Sequence, residues 1–341
     1  MEAMTGNKLL SPLLRILCIV SLICFTGCGK DDEQLRDDAI EKANYWLTSW
    51  ECDKALAALN EVGNHPYHAR YLQTLASAYA CKAGFSELTF WGTDLAKIGT
   101  SATAVLGSLT TFTTSLMTFH NDNSYGDLLK AIDTLLYAGN IQLNDEPSSG
   151  ARLGKFTTAE VGDMNFQLIM MILAQMGKFG FYYGNANPVD GTKGNGAVAN
   201  GNPNGNPNSC FYTYTDAGVI VYLGTGFTGG CTDVTNAATG GHPELAGGGV
   251  GTADRVSRMC QGLVLFNNFF DVLVNTTVSS NSGSLQGLDT TLTTFYSAAC
   301  TVINLGNICT IKSQTRCESL YAGDLVSLQK YYAYVYETMF Q

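Results

Sequence analysis

The chemistry-bearing side chains of this 341-residue chain are few: four histidines, eleven cysteines and 29 acidic residues. His65-Pro66-Tyr67-His68 is the close histidine pair. A turn at Pro66 would bring both imidazoles to one face for a metal, but no Asp or Glu lies beside them, so a structural turn is expected. Asn121 to Asp127 carries Asx residues as a calcium loop does. Ile132 stands where that loop needs its closing bidentate acid, so the stretch reads as a helix start. Gly224-x-Gly226-x-x-Gly229 matches a dinucleotide fingerprint in letters only, because no long helix is expected directly after it. Neither Gly-x-Ser-x-Gly nor His-Glu-x-x-His occurs. No catalytic residue, metal or cofactor is assigned from these motifs. An enzyme would need a site built from distant segments, with an acid beside His68 or His120.

Cysteine carries the stronger signal. Lys8 and Arg15 precede the apolar run Ile16 to Phe25, which is shorter than the roughly 20 residues of a membrane-spanning helix and suits a cleaved export signal over residues 1–27. Phe25-Thr26-Gly27-Cys28 follows, and it resembles the bacterial lipobox, with Phe25 in place of the usual Leu. The resemblance implies acylation of Cys28 and a short tether over residues 28–36. Gly29 after the cysteine implies the outer membrane, with the chain facing the periplasm. Residues 1–27 carry +1, so the mature chain carries −11. That acidity argues against nucleic acid and against polybasic attraction to lipid, which leaves acylated Cys28 as the membrane contact.

Eight cysteines remain: Cys52, Cys81, Cys210, Cys231, Cys260, Cys300, Cys309 and Cys317. An even number in an exported chain predicts up to four disulfides, with connectivity left open. Cys52 and Cys81 sit at the open ends of a helical hairpin. Cys210 and Cys231 enclose a short segment. Cys260 with Cys300, and Cys309 with Cys317, are the expected pairs for the rest.

The elements that position these groups are mainly helical. Apolar residues at three-to-four spacing predict helices over 32–49, 53–59 and 67–83. Thr48 to Glu51 reads as a capping box for the second. Leu75, Ala76 and Tyr79 follow the large, small and aromatic order of a tetratricopeptide (TPR) repeat, which the hairpin resembles. That resemblance implies close helix approach at Ala76 and stacking of helices into a concave binding surface. Further helices are expected over 85–98, 101–119 and 125–138. A capping box at Thr157 to Glu160 opens a helix to about Tyr183 that is apolar nearly all round and so central to the core.

Residues 184–209, rich in Gly, Asn and Pro, predict a mobile exposed loop. Tyr212 to Thr215 and Val219 to Tyr222 predict two strands of a disulfide-closed β-hairpin. Asp254 and Asp271 are expected in solvent. Helices over 252–278, 288–303 and 317–340 complete the chain. The expected organisation is an N-terminal TPR-like region over 37–183, a loop and hairpin insertion over 184–251, and a C-terminal helical region over 252–341.

The functional expectation is an envelope lipoprotein that binds or scaffolds a protein, peptide or small ligand. It is loosely similar to the TPR-like lipoproteins that accompany TRAP-type transporters, a similarity that implies ligand capture. The alternatives are an envelope hydrolase and a surface-exposed structural lipoprotein.

Overall fold

The computed structural model describes residues 31–99, 105–194, 210–226, 231, 235, 241–246, 250–276, 292–301 and 307–340. Cys28 and the apolar run before it lie outside the described residues. The fold is mainly α, and among the described residues it contains no strand, only a lone bridge between Cys210 and Gly241.

Helices α1 (Asp32–Thr48), α2 (Cys52–Asn60) and α3 (Ala69–Lys82) pack successively at the N-terminal end. The reading of Thr48 as a cap is corrected. Its hydroxyl bonds back to Tyr45 O at 2.7 Å, and α2 begins after Glu51 with no side-chain cap. The chain reverses instead at Trp50, which adopts a left-handed φ of 59°. Cys52 and Cys81 are bonded across the open end of α2 and α3, as expected. His68 caps α3 by accepting from Tyr71 N, and His65 reaches Val62 O, so both imidazoles serve the turn. Ala76 is fully buried, with Leu75 and Tyr79 packed beside the core.

Residues 87–97 form one irregular helical segment with a π-helical centre, Phe90–Asp94. The helix expected over 101–119 is corrected to a short α4 (Val105–Thr110) followed by turns. The Ser and Thr hydroxyls there bond to nearby carbonyls, as Ser108 does to Val105 O and Thr111 to Ser108 O, and so compete with a continued helix. α5 (Asn123–Leu136) starts on Asp122, whose carboxylate caps Tyr125 N.

α6 (Ser149–Leu153) leads into α7 (Thr158–Tyr183), which has the expected capping box. Every residue of α7 from Gln167 to Tyr183 is buried, including Met170, Met171 and Met176, so its methionines fill the core. α4, α5 and α10 (Thr252–Val274) all pack on it. Gly177 allows the closest approach: a Cβ there would run into Leu109 O and lie 2.5 Å from Ser115 Oγ. Gly177→Ala is expected to cost about 2 kcal/mol through forced separation of α4 and α7, read as a shift in the urea midpoint.

Three further expectations are corrected in the second half. Val219 to Tyr222 belongs to α8 (Ala217–Gly226), not to a strand. Asp216, read as a hairpin turn, accepts from Val219 N at 3.0 Å and starts the helix. Tyr212 to Thr215 forms no strand: Tyr214 OH and Thr215 N bond to side chains of the C-terminal helices. The loop after Gly184 is not wholly exposed, because Lys193 is buried on Glu337; residues 195–209 lie outside the described residues.

The disulfides differ from expectation too. Cys210–Cys231 forms as expected, but Cys260 pairs with Cys317 and Cys300 with Cys309. α11, at 292–301, faces the 308–310 turn, so its cysteine closes locally. α12 (Gln314–Tyr321) lies along α10 and supplies Cys317. The chain ends in α13 (Leu325–Tyr331), which continues as a π-helical turn, Tyr332–Glu337.

Candidate functional site

α5 and α10 do not close fully on one another. Tyr125, Leu129, Asp133, Leu136 and Tyr137 fall on one face at helical spacing, and Gln261, Val264, Leu265 and Asn268 repeat the pattern on α10. Lys312, just before α12, and Gln314 at its start supply the third wall. The space between them is a mainly apolar cavity of about 100 Å³. Leu129, Tyr137, Val264 and Gln314 stay partly exposed, so the cavity reaches the surface.

Asp133 is the charged group without a counter-ion on this wall. It is only partly covered, yet the enclosing protein pushes its carboxyl up to about 7, because burial penalises the anion. Lys312 lines the same cavity, but its ammonium is held at 3.0 Å by Asp271. Asp271 was expected in solvent. The structure instead places it at the centre of a polar junction, accepting from Ser149 N at 2.8 Å and from Ser149 Oγ at 3.1 Å. Arg152, fully buried, completes that junction by donating to Asn165 Oδ1 at 2.6 Å and to Leu136 O at 3.3 Å. The junction locks α5, α6, α7 and α10 together and keeps Lys312 away from Asp133.

Three amide oxygens on the cavity walls also lack a partner: those of Gln261, Asn268 and Gln314. For Asn268 and Gln314 the orientation is set by the other end of the amide. Asn268 Nδ2 donates to Val264 O and Lys312 O at 2.8 and 2.9 Å. Gln314 Nε2 donates to Ser257 O and Glu318 Oε1 at 2.9 and 2.7 Å. A flip of either amide would set its oxygen against these acceptor oxygens, so the two oxygens are the free ends.

The histidine alternatives resolve differently. His68 is a helix cap. His120 Nδ1 makes a 2.5 Å hydrogen bond with Tyr183 OH, and the ring of Tyr183 lies 5.0 Å from that of the buried His242. Tyr182 OH donates to Glu244 of the short α9 (Pro243–Ala246) at 3.0 Å, and Arg258 pairs with Glu244 at 2.7 Å. Among the described residues, no serine hydroxyl or cysteine thiol bonds to this knot, and the eight cysteines there are all in disulfides. Cys210 and Cys231 approach Glu337 within 4.8 Å, but disulfide sulfurs are not thiolate ligands.

Burial first, and the Arg258 charge second, hold His120 down to about 4 and His242 down to about 3. The unfolded chain therefore takes up protons that the folded one refuses. The stability these residues contribute is complete above about pH 6.5 and is lost as pH falls toward 4 and below. Replacing both with Gln is expected to flatten the loss of stability between about pH 6.5 and 4 by a few kcal/mol, measured by urea unfolding at each pH. An unchanged slope would place the acid sensitivity elsewhere.

The cavity residues were not singled out by sequence motifs. The available signal was Asp133 sitting between Leu129 and Tyr137 at helical spacing on an otherwise apolar stretch. A second concavity lies where α3 meets the start of α7, an open groove of about 330 Å³ touching Ser77, Phe166 and Met170. Comparison with known protein families, curated proteins and solved structures found no match to this chain.

Proposed function

We propose that this chain is a small-ligand-binding module of the bacterial cell envelope, held at the outer membrane by acylated Cys28 and facing the periplasm. The observation that carries the binding reading is the cavity between α5 and α10, which places an unpaired carboxylate on an apolar wall. Four disulfides support export, because such bonds persist in oxidising compartments. The N-terminal helices, with buried Ala76 between Leu75 and Tyr79, agree with TPR-like packing, and ligand capture agrees with the resemblance to transporter-associated lipoproteins. A fragment screen by ligand-observed NMR tests the binding reading. Binding is expected in the disulfide-intact protein and should vanish in Val264→Trp, which fills the cavity. Equal binding by a folded Val264→Trp variant would refute it.

A protein or peptide partner is the second reading, and the groove beside α3 favours it. Trp91 and Phe166 stack there with ring centres 5.5 Å apart while both stay exposed, and Leu88 nearby is 86% exposed. Crosslinking from intact envelopes with wild type and Phe166→Glu separates the readings: a specific protein lost only in the variant would support the groove.

A further inference from the structure

We propose that the cavity's ligand is a small primary amine bound as its ammonium ion, with the ammonium on Asp133 and a short apolar body against Leu129, Leu136, Val264 and Leu265. This rests on the binding reading above and specifies the ligand's chemistry. Among the described residues, the buried unpartnered side-chain atoms on the walls are all acceptors, the free oxygens of Gln261, Asn268 and Gln314, and the partly exposed Asp133 carboxylate beside them has no cation. A buried acceptor without a partner costs about 1–3 kcal/mol, and a donor-only ligand removes that cost while an acceptor ligand adds to it. An ammonium is a three-donor group with no acceptor. Lys312, the one ammonium on the walls among the described residues, is retained by Asp271 and does not fill this role.

The apolar half of the cavity decides between an organic ammonium and a metal ion. Calcium takes about six to eight oxygens, whereas four aliphatic side chains occupy the walls here. The volume sets the size. A dry engineered cavity of about 150 Å³ accepts benzene, so about 100 Å³ suits roughly four or five non-hydrogen atoms.

The charge state of Asp133 gives the inference a pH signature. The groups facing it are Tyr125 and Tyr137 on its own helix, both pushed upward by burial and neutral at ordinary pH, and Lys312, already paired. Gln261, Val264, Leu265 and Asn268 on α10, and Gln314 at the start of α12, carry no charge. Glu146 is committed to the Lys312 and Ser313 N–H groups. Affinity for an ammonium therefore falls as Asp133 gains its proton, by up to about tenfold per pH unit below its shifted pKa.

The test is isothermal titration of the disulfide-intact protein with n-butylammonium, with 1-butanol as the neutral isostere and calcium chloride alone as the metal probe, at about pH 8 and pH 5.5. The amine is expected to bind at least about tenfold more tightly than the alcohol at the higher pH. Its advantage should shrink at the lower pH and disappear in Asp133→Asn, which preserves shape. Equal or tighter binding of the alcohol would overturn the ammonium assignment and leave the cavity as a binding site. Calcium binding abolished by Asp133→Asn, with no amine preference, would overturn it in favour of a metal site. An amine preference that survives in Asp133→Asn would overturn it as well, and binding of no probe would remove both this inference and the reading it rests on.

Discussion

Glu337→Leu should lower the unfolding free energy by about 3–5 kcal/mol, because it leaves a buried ammonium without its anion. Lys193 and Glu337 are both almost fully buried, and Lys193 Nζ donates to Glu337 Oε2. The other carboxylate oxygen accepts from Phe211 N at 2.7 Å and Tyr214 OH at 2.8 Å. Phe211 and Phe340 flank the ammonium with ring centres 5.6 and 5.7 Å away. One carboxylate thus fastens the segment at Lys193, the segment at Phe211 to Tyr214 and the C-terminal helix. Removing it orphans three donors at once. A double variant, Lys193→Met with Glu337→Leu, should regain much of the loss, since apolar replacement of both charges removes the desolvation cost. Urea unfolding of wild type, single and double variants checks this. A single-variant loss below about 1 kcal/mol would show that the pair is not the fastening it resembles.

Breaking Cys260–Cys317 has the other large expected effect. The bond spans 57 residues, the longest loop closed by the four disulfides. Chain-entropy arguments assign a loop of this length about 4 kcal/mol, against about 3 kcal/mol or a little more for Cys52–Cys81. Position adds a functional consequence. Cys260 adjoins Gln261 on α10, and Cys317 lies one turn beyond Gln314 on α12, so the bond fixes two cavity walls relative to one another. The Cys260→Ser, Cys317→Ser variant is expected to lose both stability and ligand binding under conditions where it remains folded. A Cys52→Ser, Cys81→Ser variant should lose stability while its folded fraction keeps binding. Thermal melts paired with NMR ligand titration would distinguish the two. Retained binding in a folded Cys260→Ser, Cys317→Ser protein would show that the walls hold position without the bond.

The helical class was readable because apolar spacing over long stretches is a strong signal. The run from Phe166 to Ala174 has no polar face wide enough for solvent, and the structure buries all of it but Phe166 in the centre. Local caps were mixed. Thr157 with Glu160 behaves as its spacing implies, whereas Thr48 lies inside the helix before the one it was expected to open. Val219 to Tyr222 misled because a short β-branched run between glycines suits a strand or a buried helix equally, and Asp216 at its start decides for the helix. The pairing of Cys260 depended on α12 lying along α10, a tertiary fact with no local trace. Asp133 and Asp271 show the same limit from the functional side. Both are acids on amphipathic helices. Packing alone makes one the hub of a junction with Arg152, Ser149 and Lys312 and leaves the other facing a cavity without a cation.

The central claim is that the space between α5 and α10 receives a ligand. A crystal of the disulfide-intact protein soaked with a mixture of small amine and neutral fragments tests it most directly. The account predicts a fragment seated between Leu129 and Val264, with its polar end on Asp133. Fragments found only on the outer surface, with the cavity empty or closed by its own side chains, would contradict it.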